Sequence, residues 1–240
     1  MTQRNSELDG NSEAFLDRAL RRGTAVLFTG AGFSHGAKNI AGVQLPLGSE
    51  LKEMLWGVAF PGEPLDPRSQ LGDVFSAASS ARRAETEQCL KEQLTIDPGT
   101  IPQWYSNYLE IPWHRVYTLN FDNIFPATLT KYRLDIQLTI ISALRANITP
   151  ATNLSVVHLN GLLGDYPDVT FSPPQYGVRA SRPDGAYASL TREMLSHPVI
   201  FIGTELDEPP LWQYIALRGD RPSGRELRAC RRSQPSTAAE

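Results

Sequence analysis

Residues 26–34 form a pattern with clear chemical meaning, in which an apolar run leads directly into a Gly-Ala-Gly-Phe-Ser turn. A short run of β-branched and aromatic residues is typical of a buried parallel strand, and residues 25–29 fit this pattern. Gly30 and Gly32 allow the backbone to turn sharply and leave amide N–H groups uncovered, as in loops that receive a phosphate. We therefore expect a phosphate-binding turn at the carboxyl end of this strand.

The turn matches only part of the G-x-G-x-x-G dinucleotide fingerprint, because His35 stands at the third glycine position. Glu50 lies at about the right distance for the acidic residue that binds a ribose in that fingerprint. However, it directly follows Ser49, a predicted helix cap, where the helix dipole explains a glutamate. The sequence therefore does not support ordinary dehydrogenase chemistry.

The same turn contains G-x-S-x-G at residues 32–36, the nucleophile-elbow pattern of serine hydrolases. Asp122 and His158 follow in the order that α/β-hydrolases use, so a serine esterase using Ser34 is one alternative. Against it, only one amphipathic helix precedes the pattern, and no oxyanion loop of the HGGG type lies upstream. The simplest interpretation of Ser34 is a helix N-cap whose hydroxyl satisfies a free N–H, followed by a phosphate contact.

The composition limits the class of protein. The 240 residues are 41% hydrophobic and 20% charged, enough for one α/β domain with an insertion or for a large and a small lobe. A net charge of −3 gives no electrostatic footprint for direct binding of nucleic acid or an anionic membrane. The two cysteines, Cys89 and Cys230, cannot form a disulfide framework or a four-thiolate zinc site, which favours a reducing, cytoplasmic setting. We find no signal segment and no apolar run of membrane-spanning length, so no membrane partner is expected.

Short apolar strands separated by helical material favour an α/β fold with a Rossmann-like, doubly wound parallel sheet. Polar motifs follow these strands at their carboxyl ends, where open α/β sheets bind ligands. The predicted strands are residues 25–29, 115–119, 155–159 and 199–202.

The chain divides into three predicted parts. Residues 1–11 form a polar leader, 12–217 the folded domain, and 218–240 a disordered tail rich in Arg, Ser, Pro and Ala. Ser12 is predicted to cap the first helix. A helical insertion or small lobe occupies about residues 36–112. Its helices are predicted at residues 50–56, 69–78 and 82–94.

In this order, four motifs together resemble the sirtuin-like NAD-binding superfamily, and most closely its bacterial NAD-hydrolysing branch, known from antiphage defence. The motifs are GAGFS at 30–34, TLNFD at 118–122, HLNG at 158–161 and GTELD at 203–207. In sirtuins the corresponding segments read GAGIS, TQNID and HG. The similarity spans about residues 24–215.

The resemblance implies that NAD is the substrate and that Asn120 and His158 are catalytic. Cleavage of the nicotinamide–ribose bond passes through an oxocarbenium-like state. Asn120 would aim a water at the anomeric carbon without adding charge, and His158 would accept its proton or orient the ribose hydroxyls. Asp122 would either stabilise the positive charge or cap a helix.

The resemblance also implies the residues that bind NAD. Gly203 and Thr204 would lie near the adenine ribose with Asp207, although Asp207 can equally cap the helix that begins at Pro209 and Pro210. The full set expected to contact NAD is Gly30, Ala31, Gly32, Phe33, Ser34, Asp122, Asn160, Gly203, Thr204 and Asp207.

The sequence departs from the family in two ways. Deacylating sirtuins carry two cysteine pairs on a zinc ribbon, whereas this chain has two cysteines in all, so we expect no zinc or other metal. Its small lobe is then held by apolar packing. Beyond Gly203 the family has a further strand, for which residues 227–230 are a poor candidate. That strand is expected to be absent or supplied by a partner.

The resemblance favours hydrolysis of NAD to nicotinamide and ADP-ribose by an antiviral effector. No sensing module is visible, so a separate sensor protein or a homo-oligomer is the expected partner. Three alternatives stay open at this point. They are an NAD-dependent protein deacylase or ADP-ribosyltransferase, the serine esterase, and an inactive module that only binds NAD.

Overall fold

The computed structural model describes residues 9–145, 153–181, 184–206 and 211–212. In this part of the chain, five strands form one sheet in which every pairing is parallel, in the order β3-β4-β2-β1-β5. The strands are β1 (Val26–Thr29), β2 (Arg115–Thr118), β3 (Leu138–Ser142), β4 (Leu154–His158) and β5 (Val199–Ile202). The predicted α/β fold with a Rossmann-like parallel sheet is confirmed.

The order of the strands brings the predicted motifs together at the edge of the sheet that is formed by the carboxyl ends of the strands. Thr29, at the end of β1, lies opposite Thr118 of β2 and Ile202 of β5. Thr118 in turn lies opposite His158, at the end of β4. The chain winds from β1 to one side of the sheet and returns to add β5 on the other side. The β1–β5 boundary is therefore a topological switch point, where open α/β sheets bind ligands.

The four predicted strands are present with boundaries that differ by at most one residue. The strand β3 was not predicted. It lies at the edge of the sheet and its first three residues are only partly buried, so it lacks the continuously buried pattern of β1 and β2. Its sequence, LTIIS, is nevertheless at least as apolar as that of β2, so composition alone does not separate the strand that was predicted from the strand that was missed.

Helices cover both faces of the sheet. On one face of the sheet, Leu27, Val116 and Val156 pack in a cluster with residues from helices that come before β3 in the chain. The other face packs Phe28, Tyr117 and Val157 against a helix that precedes β5. The helices of the described residues are α1 (Gly10–Arg21), α2 (Ala31–Ser34), α3 (Gly48–Ala59), α4 (Leu71–Ala81), α5 (Arg83–Leu94), α6 (Trp104–Glu110), α7 (Ile124–Tyr132), α8 (Pro173–Ala180) and α9 (Gly185–Ser196).

The segment between β1 and β2 is helical, as predicted, but its helices serve two different cores. The helices α3, α4 and α5 share an apolar cluster of their own with residues from the loop after β4. The helix α6 instead contributes Tyr105 and Leu109 to the cluster on the sheet. We call α3–α5 the helical lobe.

Two predicted helix caps are wrong. Helix α1 begins at Gly10 because Asp9 caps it, its Oδ1 accepting the N–H of Ser12 at 2.8 Å, so Ser12 lies inside the helix and the polar leader is shorter than predicted. Helix α3 begins at Gly48, before the predicted cap Ser49. The carboxylate of Glu50 accepts the N–H of Leu47 at 2.7 Å, so this side chain caps its own helix.

The predicted tail at residues 218–240, with the candidate strand at 227–230, lies outside the described residues, as do residues 1–8. Among the helices that the structure describes, none is both long and apolar enough to span a membrane.

Candidate functional site

Asn120 joins the glycine turn to the loop after β2. Its side-chain amide donates to the carbonyl oxygen of Gly30 at 3.0 Å and to the Ser34 hydroxyl at 3.0 Å. The Asp122 carboxylate lies beside these two side chains, which act on its pKa. Ser34, Asn120 and Asp122, three predicted site residues that follow two neighbouring strands, thus form one polar group, which we call the Asn120 group.

The Asp122 carboxylate is 4% exposed and lies at the start of α7. Burial raises its pKa to about 6, against the opposing effect of hydrogen bonds from Ser34, the Ile124 N–H and Asn120. The Ile124 bond measures 3.0 Å, and Ile124 is the first residue of α7. Asp122 therefore lies one residue before the N-cap residue, Asn123, and its carboxylate accepts the N–H of the first helical residue while it also faces Ser34.

His158 ends β4 beside the Asn120 group. Its Nδ1 lies 2.7 Å from the carbonyl oxygen of Asn120. Because a carbonyl oxygen can only accept, Nδ1 carries the hydrogen and Nε2 keeps its lone pair. The ring is 1% exposed. Burial lowers its pKa to about 4, although the bond to Asn120 and the charge of Asp165 act in the opposite direction. The imidazole is neutral at pH 7, and it is a weaker base than the near-neutral pKa expected from the sequence.

The amides of the glycine turn are already used within the protein. Gly30 N–H donates to Ile202 O at 3.1 Å, Gly32 N–H to Gly203 O at 2.9 Å, and Phe33 N–H to Gly30 O at 2.9 Å. The expectation that Gly30 and Gly32 leave uncovered amides is therefore wrong for this conformation. The physical reason is that the loop after β5 packs directly on the turn.

This packing explains why three glycines meet at the switch point. A Cβ at Gly203 would lie 2.0 Å from the Phe33 nitrogen, and one at Gly32 would lie 2.9 Å from the Cα of Gly203. Gly203 also has a φ of +66°, a left-handed conformation that favours glycine. The two loops can approach only without side chains. The main role of Gly30 and Gly32 in this structure is therefore to allow the two loops to contact each other.

The remaining residues of the turn divide between solvent and core. Ala31 and Gly32 are exposed, as is Gly203 across from them. Phe33 is buried and packs edge-on against Tyr105, with ring centroids 5.3 Å apart. Within the turn, the backbone around Ala31 and Gly32 is therefore the part that is exposed and could face a ligand.

Ser34 is the last residue of α2, and Gly30 occupies the N-cap position, so the predicted N-cap role of Ser34 is wrong. Gly30 takes that position because its extended backbone suits a cap without a side chain. Ser34 is 1% exposed, and its side chain contacts Asn120 and Asp122. Among the described hydrogen bonds, none joins Ser34 to an imidazole, which an esterase triad requires.

Asn160 and Thr204 lie in loops at the same edge of the sheet but outside the Asn120 group. The Asn160 amide donates to the Tyr176 hydroxyl at 3.2 Å and accepts from the Tyr187 hydroxyl at 3.3 Å. It therefore ties the loop after β4 to α8 and α9. Thr204 accepts the N–H of Leu206 at 3.1 Å, which shapes the loop after β5. Asp207 lies outside the described residues.

Sequence reasoning missed a buried carboxylate, Asp165, in the turn that follows β4. Its Oδ2 accepts the Ser142 hydroxyl at 2.5 Å and the Leu162 N–H at 2.8 Å. It also forms an ion pair with Arg145. Ser142 ends β3, so the only sequence signal that could have located Asp165 was the strand that was not predicted.

Phe121 points away from the Asn120 group and into the helical lobe. Its ring centroid lies 5.1 Å from that of Phe171. With Phe75, Leu90 and Tyr166 it lines a narrow apolar cavity between the lobe and the loop after β4. The backbone that presents Asn120 and Asp122 is therefore anchored in the lobe core.

The histidines outside the site have structural partners. His35 Nδ1 lies 2.7 Å from Leu45 O, and the rings of His114 and His197 stack with centroids 4.1 Å apart. Within residues 9–145, 153–181, 184–206 and 211–212, no group of three or more His, Cys, Asp or Glu side chains is arranged to hold a metal ion.

A comparison of the sequence with protein-family models, and another with curated proteins, found no match.

Proposed function

We propose that this protein hydrolyses NAD to nicotinamide and ADP-ribose. The observation that carries the proposal is the Asn120 group with His158 held against it, at the carboxyl ends of β1, β2 and β4. The resemblance of the four motifs to the NAD-hydrolysing branch of the sirtuin-like superfamily supports the same assignment. The reaction consumes one water and releases nicotinamide, ADP-ribose and one proton.

Asn120 is proposed to hold the attacking water. Its two side-chain N–H hydrogens are directed at Gly30 O and the Ser34 hydroxyl, which leaves Oδ1 as the atom that accepts a hydrogen from water. A water held in this way keeps a lone pair for the anomeric carbon. Because the amide is fixed by two hydrogen bonds, its orientation costs little entropy at the moment of reaction.

His158 is proposed to accept the proton of that water. The hydrogen on Nδ1 is committed to Asn120 O, so the Nε2 lone pair is the basic position. As the new C–O bond forms, the water O–H bond breaks and its proton moves to Nε2. A pKa of about 4 makes His158 a weak base before the reaction, and an oxocarbenium-like electrophile needs little assistance from a base.

Asp122 is proposed to favour the positive charge of the reacting ribose. Its pKa of about 6 leaves it mostly ionised at pH 7, and it is the carboxylate that lies beside Ser34 and Asn120. A negative charge in a buried setting stabilises a developing cation more than the same charge does in water. The negative charge of Asp122 therefore stabilises the transition state more than it stabilises the free protein.

The surface at the switch point suits the diphosphate of NAD. Ala31, Gly32 and Gly203 are exposed there and have at most a methyl side chain, so a phosphate can come close to the backbone. The Asn120 group and His158 are buried, which supports a closed resting state. We propose that a sensor protein or self-assembly opens the site of this antiviral effector.

The product test decides the proposal. The purified protein is incubated with NAD at several protein concentrations, with and without an acetylated peptide, and the products are separated by chromatography. We expect nicotinamide and ADP-ribose in equal amounts without peptide. A strict requirement for the peptide, with an acyl-ADP-ribose product, would instead identify a deacylase.

A second arm addresses the esterase alternative. A fluorophosphonate probe is expected to leave the protein unlabelled, because Ser34 contacts an amide and a carboxylate. Stoichiometric labelling that disappears in Ser34→Ala would overturn the NAD-hydrolase assignment.

A further inference from the structure

Asp165 lies close to His158 through the pairing of β3 with β4. Ser142 and His158 are partners in this parallel register, so their side chains stand next to each other on the same face of the sheet. Neighbouring strands are about 4.8 Å apart. The Ser142 hydroxyl donates to Asp165 Oδ2 at 2.5 Å, which brings the carboxylate to the edge of the His158 environment.

The carboxylate of Asp165 is built into this position. It is 4% exposed and also accepts the Leu162 N–H at 2.8 Å. Gly161 has a φ of +96°, and a Cβ there would lie 3.2 Å from Asp165 Oδ2. The tight turn after His158 thus folds back so that the carboxylate returns to the end of the strand.

We infer that Asp165 is a positioning residue for the proposed reaction, whose fixed negative charge stabilises the imidazolium that His158 becomes when it accepts a proton. This inference rests on the proposed function for its catalytic meaning. Its electrostatic part, that the buried carboxylate of Asp165 influences the protonation of the His158 imidazole, does not depend on NAD.

The other charged groups near His158 define the controls. Arg145, which follows β3, forms an ion pair with Asp165, and its side chain is 65% exposed. Asp122, after β2, lies beside the side chain of Asn120, and His158 contacts the backbone carbonyl of Asn120. Removing Asp165 and removing Arg145 should therefore shift the His158 titration in opposite directions, while Asp122 remains constant.

The experiment follows the ring nitrogens of His158 by NMR in protein labelled at its four histidines, with His158→Gln for assignment. Asp165→Asn keeps the size of the side chain and removes its charge. At pH 5 we expect the protonated fraction of His158 to fall about threefold or more, the effect of a half-unit shift. Arg145→Gln should raise that fraction. Ser142→Ala, which keeps both charges, is the matched control for loss of the hydrogen bond and should shift the titration less than Asp165→Asn.

Opposite shifts in Asp165→Asn and Arg145→Gln support the inference, whether or not the protein cleaves NAD. Unchanged titration, or shifts of the same sign, would overturn it. If Asp165→Asn does not fold, Ser142→Ala, which releases the Asp165 carboxylate from its 2.5 Å hydrogen bond, decides the question: a lowered protonated fraction of His158 supports the inference and an unchanged fraction overturns it. In an active protein, the acid limb of the pH profile of NAD cleavage should move in the same direction as the His158 titration. If the titration shifts but the product test fails, the result counts against the proposed function only.

Discussion

The Asn120 side chain and the Ser34 hydroxyl are joined by a 3.0 Å hydrogen bond between residues 86 positions apart in sequence. This bond, with the one from Asn120 to Gly30 O, makes the glycine turn and the loop after β2 one structural unit. A change at Asn120 therefore alters the turn as well as the proposed water site. The predictions below separate these two effects.

Asn120→Ala should reduce NAD cleavage about a hundredfold or more, because it removes a positioned polar group. NAD affinity should stay within about tenfold, since we propose that the switch-point backbone supplies most of the binding. Unfolding free energy should fall by about 1–3 kcal/mol, because Gly30 O and Ser34 lose a buried partner. Turnover, calorimetric affinity and urea unfolding measure the three effects.

Asn123→Ala is the control for this variant. Asn123 lies three residues further on and accepts the Ile96 N–H at 2.9 Å. It should lose stability to a similar extent but keep turnover close to that of the wild type. Equal losses of turnover in the two variants would show that Asn120 acts only through folding.

His158→Gln should also reduce cleavage by about a hundredfold or more, because glutamine cannot accept the proton of water. His114→Gln changes a histidine next to the amino end of β2, away from the proposed site, and should leave cleavage unchanged. Initial rates for both variants, after circular dichroism has verified folding, check this prediction. Wild-type turnover in folded His158→Gln would make the histidine structural.

Acid should affect the stability of two variants in opposite ways. The folded-state pKa of His158 is about 4, below its unfolded value of about 6.5, so the unfolded chain binds the extra proton between these pH values and stability falls on acidification. The folded-state pKa of Asp122 is about 6, above its unfolded value, so its protonation favours the folded state as the pH falls from 6 towards 4. The two contributions, each on the order of 3 kcal/mol, nearly cancel in the wild type.

Asp122→Asn leaves only the His158 contribution and should become less stable between pH 6.5 and 4. His158→Gln leaves only that of Asp122 and should become relatively more stable between pH 6 and 4. Urea unfolding at pH 4.5, 5.5 and 6.5 measures the slopes relative to the wild type. Parallel slopes in the two variants would refute the assigned titrations.

Gly203→Ala should destabilise the protein by more than about 2 kcal/mol, because its Cβ would overlap the Phe33 nitrogen. Gly42 is the matched control, since it also has a positive φ, of +78°, but a Cβ there would have no atom within 4 Å. Gly42→Ala should cost about 1 kcal/mol, from backbone strain alone. Thermal unfolding of both variants tests the contact between the two loops, and equal losses would contradict it.

The sequence was sufficient to predict the central strands and the meeting of Ser34, Asn120 and His158. Central parallel strands are buried on both faces, as β1 and β2 are along their whole length, and their carboxyl ends necessarily lie at one edge of the sheet. The edge strand β3 differs from them in burial rather than in composition, because its first three residues are only partly buried. Asp165 was missed with it, because its partner Ser142 belongs to that strand.

Contacts between distant segments could not be predicted either. The amides of Gly30 and Gly32 look uncovered in a local pattern, yet Ile202 O and Gly203 O accept from them after the chain returns in β5. The cap errors have a similar origin. Asp9 competes with Ser12 for the start of α1, and a residue type alone does not say which position the tertiary structure selects.

The central claim is that NAD is cleaved by water at the site formed by Asn120 and His158. The most direct measurement is nicotinamide and ADP-ribose release, quantified in parallel for the wild type, Asn120→Ala and Asn123→Ala without acyl acceptor, with NAD binding followed by calorimetry. We predict equimolar products from the wild type and Asn123→Ala, and at least about a hundredfold less from Asn120→Ala, which still binds NAD. NAD that remains intact and unbound across a wild-type concentration series, or equal cleavage by Asn120→Ala, would contradict the claim.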